Sequence, residues 1–200
     1  MDQRQGPLSV ESKRALRTAL VALREQLSPA VRAAFSRRIT HTLLALPEYR
    51  RARVVMAYMS MGAEFETEAF VQRALADGKR LVLPRVNRGE RRLDLFAVSD
   101  LEAELAPGVW GILEPLPERC ATVAATAVDF VLVPGLGFDG DGGRLGYGGG
   151  FYDRLLVAMT TATRVAAAFS AQVVDAVPMT AHDQRVELVV TEDGLLRSRR

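Results

Sequence analysis

The chain has 200 residues, 48% of them hydrophobic and 25% charged, and a net charge of +2. That composition is ordinary for a globular protein and excludes disorder, while no apolar run approaches the roughly 20 residues of a membrane span. The N-terminal stretch MDQRQGPLSVESKR has no apolar centre and does not read as a signal peptide; Cys120, the only cysteine, permits no internal disulfide, so a cytoplasmic protein is expected.

Charge is unevenly divided: residues 1–53 hold 11 Lys/Arg against 4 Asp/Glu, and the remainder 15 against 20. A basic first quarter suits an anionic partner, either nucleic acid or a phosphorylated small molecule, or else a solvated helix face. Residues 10–27 follow the helical period. Leu16, Leu20, Leu23 and Leu27 form one stripe, with Lys13, Arg17 and Arg24 on a second about 70° away, at the edge of the buried face. Residues 28–46 predict a second helix, with Ser28 as N-cap and Pro29 at its first position. Val31, Phe35, Ile39, Thr42, Leu43 and Leu46 mark its inner face. An N-terminal helical pair is therefore expected over about residues 9–46.

Strands are expected at 53–60, 79–86 and 92–98, with a helix over 67–78 closed by Gly78. The near-continuous apolar run 128–138 suits a strand buried on both faces. A helix over about 149–160, a strand at 164–170 and a last strand at 186–192 precede the basic tail RSRR. Strand and helix in alternation predict an α/β fold with an open, mostly parallel sheet flanked by helices. No repeat or linker divides it, so residues 1–200 are read as one domain.

The stretch GDGGRLGYGGGFYDRLL, residues 140–156, places seven glycines in its first eleven positions, although the whole chain has only 16. A flexible linker would pair glycine with serine and would not carry Arg-Leu or Phe-Tyr-Asp. GLGFDG (135–140) fits G-x-G-x-x-G, but the dinucleotide fingerprint needs a helix to open within it, and here a further loop intervenes. There is no G-K-[ST] for a P-loop and no G-x-S-x-G; two histidines and one cysteine make a zinc site improbable. What remains is a glycine-rich turn feeding a helix, where backbone N–H groups and the helix start form an anion site. Arg144 adds a bidentate cation suited to phosphate, and Asp153, in the first turn, is placed to meet a magnesium ion carrying that phosphate. The alternative is a tight loop with Asp153 as an ordinary helix-start acid.

PGLGFDGDGGRLGYGGGFYDRLL closely resembles the signature of the 5-formyltetrahydrofolate cyclo-ligase family, also called methenyltetrahydrofolate synthetases. The likeness runs from about Lys13 to Glu192 and takes in KRALR, YMSMGAEFETE, LPRV, WGILEP and HDQRVELVVTE in family order. It implies an open α/β sheet similar to that of sugar-phosphate isomerases and CoA transferases. It also implies an enzyme that uses ATP and magnesium to convert 5-formyltetrahydrofolate to 5,10-methenyltetrahydrofolate through a phosphorylated formyl oxygen.

By the same resemblance Lys13, Arg14 and Arg17 contact ATP, though the helical period sets Arg14 further round than the other two. The triphosphate cradle maps to Arg144, Leu145, Gly146, Tyr147, Gly148, Gly149, Gly150, Phe151 and Tyr152. Arg144 is the implied catalytic residue, because positioning and charge neutralisation dominate phosphoryl transfer. Glu64 is implied to contact the folate, as a carboxylate pairs with an amino-pyrimidine edge, with Met59 packed beside the ring; Glu66 and Glu68 read as helix-start acids. Asp153 and Glu187 are the implied magnesium ligands. Three positions depart from the family pattern: Tyr147 stands where many members carry arginine, Phe151 replaces a tyrosine, and Glu187 replaces an aspartate. Trp110 reads either as a ring-stacking side chain or as a buried loop anchor. His41 reads as structural, and His182 and Asp183 receive no step. A monomer without nucleic-acid or membrane partners is expected. The basic helices lack interleaved aromatics and no RRM or KH signature occurs, which argues against an RNA-binding module. A same-fold enzyme for another phosphorylated or CoA-linked substrate is the other reading.

Overall fold

A strand covered on both faces must be apolar at successive positions, because its side chains alternate sides. The computed structural model, which describes residues 7–199, has such strands at its centre. In chain order the elements are α1 (Pro7–Gln26), α2 (Pro29–Ala45), α3 (Pro47–Arg51), β1 (Val54–Met56), α4 (Glu68–Ala76), β2 (Arg80–Asn87), β3 (Arg92–Val98), β4 (Leu105–Pro107), β5 (Leu113–Pro115), β6 (Phe130–Leu132), β7 (Gly137–Phe138), β8 (Arg144–Leu145), α5 (Phe151–Ala158), β9 (Thr163–Ala167), β10 (Leu188–Thr191) and β11 (Gly194–Arg197). The seven-stranded sheet runs β11-β10-β9-β6-β1-β2-β3. Its five inner strands are parallel, and only the edges β3 and β11 are antiparallel.

The alternation is regular. Val55, Leu81, Phe130, Leu132, Val165 and Val190 pack with Ile39 and Leu43 of α2 and Phe70 of α4. Their neighbours Met56, Val82, Val131, Ala166 and Val189 pack with Leu156 of α5 on the other face. Ser28 caps α2 as expected, its Oγ accepting the Val31 N–H at 3.3 Å. Tyr49, Phe70 and Phe130 form an aromatic cluster with centroids 5.4 to 6.2 Å apart.

Helix α1 lies over the glycine loop, where Leu20 packs with Leu145 and Val177. Its leucine stripe is only partly buried: Leu23 is 42% exposed, whereas the adjacent Arg24 is 6% exposed. The helix is turned so that its basic stripe meets the loop, whose carbonyls and side chains supply the polar partners a buried guanidinium requires. Val31 is likewise exposed at 36%.

Other expectations are corrected. The strand at 53–60 ends at Met56, and residues 57–60 leave the sheet. The run 128–138 breaks after Leu132, and Gly137–Phe138 pair with Arg144–Leu145 as a separate ribbon. A Cβ at Gly135 would lie 2.5 Å from the Phe138 ring, so only glycine permits that fold-back. The tail is not a free basic segment: Gly194, with φ of +144°, turns the chain so that β11 pairs antiparallel with β10. Helix α3 and the ribbon β4–β5 had no clear periodic signal. The reading of the extreme N-terminus concerns residues 1–6 in part, which lie outside the described residues, as does Arg200. Among the described residues no helix is long and apolar enough to cross a membrane.

Candidate active site

A cavity of about 540 Å³ opens at the C-terminal ends of β1, β2 and β6, the edge where open α/β sheets bind ligands. One wall is the segment after β1, with Tyr58, Met59, Met61 and Glu64. A second is apolar and comes from β2, β3 and the β4–β5 region, with Leu83, Leu93, Ile112 and Trp110. The third is the glycine loop, from Arg144 through Asp153, with Leu145 facing away.

The loop's shape follows from two local causes. Asp139, 6% exposed, accepts the N–H groups of Asp141 and Gly143 on Oδ1 at 3.0 and 2.7 Å and that of Val177 on Oδ2 at 2.7 Å. This pins the turn between β7 and β8. Gly142 has φ of +76°, and a Cβ there would lie 2.1 Å from the Val186 carbonyl, so no other residue fits. Further on, Gly150 has φ of +66° and caps α5 without a side chain, which leaves the first-turn N–H groups uncapped where Gly150 to Asp153 line the cavity. Arg154 braces the loop from outside: its Nε donates to the Arg91 carbonyl at 2.8 Å, its Nη2 to the Gly149 carbonyl at 2.9 Å, and its guanidinium lies 5.3 Å from the Phe151 ring.

Arg144 is 5% exposed. Its Nη2 donates to Asp153 Oδ1 at 2.6 Å and its Nη1 to the Pro134 carbonyl at 3.2 Å, while Nε is buried with no partner. Asp153 Oδ1 also accepts the Gln184 N–H at 3.0 Å. The two site residues read from the motif are therefore each other's partners. Leu145 contributes only backbone; its side chain is 1% exposed and packs against Leu20.

Of the helix-borne cations, Arg17 donates from Nε to the Gly146 carbonyl at 2.9 Å, and Lys13 pairs with Asp183 at 2.5 Å. Arg14 is exposed and meets neither the loop nor the cavity, in keeping with its place further round the helix. Asp183 thus has a partner, while His182 and His41 are exposed. Trp110 is not a buried anchor: it is 63% exposed at the cavity, with φ of +59° and the Arg88 guanidinium 5.7 Å from its ring. Glu66 and Glu68 are exposed at the start of α4, as expected.

Glu64 is 7% exposed. Its Oε2 accepts the Met61 N–H at 2.9 Å, and its Oε1 accepts the Tyr147 hydroxyl. Burial pushes the hydroxyls of Tyr58, Tyr147 and Tyr152 up, and the Glu64 charge adds to this in each case, so all three stay protonated donors at neutral pH. Sequence reasoning missed Tyr58 and Glu114. The latter is 2% exposed, lines the cavity and accepts the Val86 N–H at 3.2 Å.

Glu187 is not where a metal beside Asp153 would need it. It precedes β10 at the end of the sheet where the parallel strands begin, its N–H bonded to the Arg164 carbonyl at 2.8 Å. It does not line the cavity, and the charged groups acting on it are Arg164 and Glu48. Strand register decides this, because Leu188 opposite Val165 leaves Glu187 at the far edge. Among the described residues no group of three or more His, Cys, Asp or Glu side chains could hold a metal.

The architecture defines an α/β protein whose glycine loop closes one side of an apolar cavity at the C-terminal edge of a parallel sheet. The model of the 5-formyltetrahydrofolate cyclo-ligase family matches residues 9–192, and the chain belongs to that family. It is 31% identical to 5-formyltetrahydrofolate cyclo-ligase of Mus musculus over 92% of this chain and 95% of that one. It is 33% identical to the enzyme of the same name from Mycolicibacterium smegmatis, over the same shares. The NMR structure of Aquifex aeolicus 5,10-methenyltetrahydrofolate synthetase superposes with a TM-score of 0.84 at 34% identity, covering 94% of this chain and 93% of the other.

Proposed function

We propose that this chain catalyses the ATP-dependent cyclisation of 5-formyltetrahydrofolate to 5,10-methenyltetrahydrofolate, releasing ADP and phosphate. Family membership supports the reaction class. The observation in this chain that carries the reading is Arg144: a buried guanidinium at the cavity wall, beside a helix start, with its Nε unmatched. A buried unmatched donor is costly unless a ligand satisfies it, and phosphate oxygens are its natural acceptors.

The formyl oxygen attacks the γ-phosphorus of ATP and ADP leaves, which turns a poor leaving group into a phosphate ester. The second folate nitrogen then attacks the activated carbon, phosphate departs, and that nitrogen loses its proton. Gly146 to Gly150 and the start of α5 cradle the phosphates, with Arg144 neutralising the charge that develops on the transferred group. Arg17 holds the loop through Gly146 and brings positive charge to it, while Lys13, another cation assigned to ATP, pairs with Asp183. Glu64 accepts hydrogen bonds from the folate's amino-pyrimidine edge, with Met59 against the ring. The apolar second wall excludes water that would hydrolyse the phosphorylated intermediate.

Magnesium bound with a nucleotide takes one or two protein carboxylates alongside phosphates and water. Asp153 fits that use: it lines the cavity, and among the described residues its Oδ2 accepts no hydrogen bond. When bound, the ion neutralises phosphate charge. The buried, unpaired Cys120 supports action in a reducing compartment, the cytoplasm.

The test is to mix protein, magnesium-ATP and 5-formyltetrahydrofolate and follow the near-ultraviolet absorbance of the methenyl product. Product is expected only with ATP and magnesium together. Its absence from well-folded protein across a broad range of pH and substrate concentration overturns the reading.

A further inference from the structure

Arg24 is the most buried cation on α1, 6% exposed, and its Nε has no hydrogen-bond partner. Nη1 donates to the Tyr147 hydroxyl oxygen at 2.9 Å, and that hydroxyl donates onward to Glu64 Oε1. The guanidinium also lies 4.0 Å from the same carboxylate oxygen and 5.9 Å from the Tyr147 ring centroid. Arg24 does not line the cavity, whereas Tyr147 and Glu64 both do. The three residues come from α1, the glycine loop and the segment after β1, so the arrangement crosses the whole cavity end.

An arginine is an expensive residue to bury for packing alone. Here it does two things a neutral residue could not. It sets an opposite charge 4.0 Å from the Glu64 carboxylate, and by donating to the Tyr147 oxygen it turns the phenol proton to Glu64. Glu64 has four lone-pair directions. Met61 and Tyr147 occupy one on each oxygen, which leaves one on each to accept from a ligand with two adjacent N–H donors. Tyr147 is flanked by Gly146 and by Gly148, whose φ is +100°, so the phenol is aimed by its hydrogen bonds and not by a stiff backbone.

Resting on the proposed reaction, we propose that Arg24 is a positioning residue: through the Tyr147 hydroxyl it fixes Glu64 as a two-point acceptor for the folate, and so ties the folate side of the cavity to the nucleotide loop. Arg24 takes no part in phosphoryl transfer in this scheme, and Tyr147 lends the phosphate cradle only its backbone N–H, which Tyr147→Phe retains. Their loss weakens reduced-folate recognition and leaves the chemical step intact.

The experiment compares wild type with Tyr147→Phe, Arg24→Met, Arg24→Lys and the Tyr147→Phe/Arg24→Met double variant. KM for each substrate, kcat, and equilibrium binding of 5-formyltetrahydrofolate without ATP are measured. Tyr147→Phe keeps the ring and its packing, so it is expected to fold. Expected is a rise of about tenfold or more in folate KM and Kd for Tyr147→Phe and Arg24→Met, with kcat and ATP KM within about twofold. Arg24→Lys recovers part of the loss, and the double variant falls short of the product of the single effects. Unchanged folate binding in Tyr147→Phe, a rise in ATP KM in its place, or single effects that multiply would each overturn the relay while the reaction stands. A wild type that neither turns over nor binds the reduced folate overturns the reaction and the relay with it.

Discussion

Replacing Arg144 by alanine separates two roles that one side chain combines. Its side chain is 3% exposed and donates at 2.6 Å to Asp153, which is 23% exposed. A hydrogen bond to a charged group contributes about 1.5–3 kcal/mol, and stripping one partner from a fully buried pair costs about 3–5 kcal/mol. Asp153 reaches solvent and keeps the Gln184 N–H, which pulls the expected stability loss down to about 2–3 kcal/mol. At about 2–4 °C per kcal/mol for a chain of this size, the unfolding midpoint should fall by about 4–12 °C. Loss of a preorganised donor to developing charge should separately lower kcat by about 10²–10³. The assay pairs thermal unfolding by circular dichroism with initial rates of methenyl formation well below the variant's midpoint, normalised to folded protein. If kcat per folded molecule stays within about threefold of wild type while the midpoint falls, Arg144 braces the loop and the phosphoryl role is refuted.

Two other outcomes distinguish the carboxylates. Asp153→Asn should raise the magnesium concentration for half-maximal activity by about tenfold or more, given a site that rests on one protein carboxylate, whereas Glu187→Gln should leave it unchanged. Glu187 is exposed, so although partial desolvation raises its carboxyl above its ordinary value against the pull of Arg164, solvent screens the effect. An acid with a raised folded pKa costs stability above that pKa and nothing below its unfolded one, so Glu187→Gln should hold or raise the unfolding midpoint at pH 7. A lowered midpoint or a shifted magnesium requirement in Glu187→Gln would contradict the placement. Asp183 behaves oppositely: burial opposes its charge, but hydrogen bonds from Lys13 and Thr180 outweigh that and hold it below the usual carboxylate range. Its contribution is present above the unfolded value near 3.9 and lost as pH falls through the lower folded value. Wild type should therefore lose more stability than Asp183→Asn in unfolding scans stepped below pH 4; parallel curves would show that the Lys13 pair contributes nothing to holding α1.

What could be read from the sequence divides along physical lines. The parallel centre of the sheet was legible because burial on both faces leaves continuous apolar runs at 130–133, 165–169 and 188–190. The ribbon β4–β5 was not, since strands of three residues carry too little period to register. Arg144 and Asp153 were legible as residue types suited to phosphate and magnesium, but not as partners, because their meeting depends on how the turn between them folds. Glu187 was assigned by family position alone; it lies just before β10, at the end of the sheet where the parallel strands begin and away from the cavity. Arg24 stood in the basic stripe with Lys13 and Arg17, yet its partner Tyr147 lies 123 residues away in the chain.

The glycine loop itself resolves into two halves with different causes. Gly142 and Gly143 are required by the fold, since a Cβ at the first would strike the Val186 carbonyl at 2.1 Å and at the second the Asp139 carboxylate at 2.3 Å. Nothing in that half lines the cavity before Arg144. From Gly146 to Gly150 every residue lines it, and the crowding there comes from flexible side chains, those of Arg144, Arg17, Phe151 and Arg154. A side chain at Gly146 would approach Arg144 Nη1 at 3.0 Å, on the guanidinium whose Nε is left unmatched. The first half therefore builds the turn, and the second keeps backbone N–H groups and one arginine clear for a ligand. Composition cannot tell these halves apart, because both read simply as glycine. Only the atoms opposite each missing Cβ, backbone carbonyl and buried carboxylate in one case and the side chains of Arg144, Arg17, Phe151 and Arg154 in the other, separate the glycines that make the fold from those that make the site.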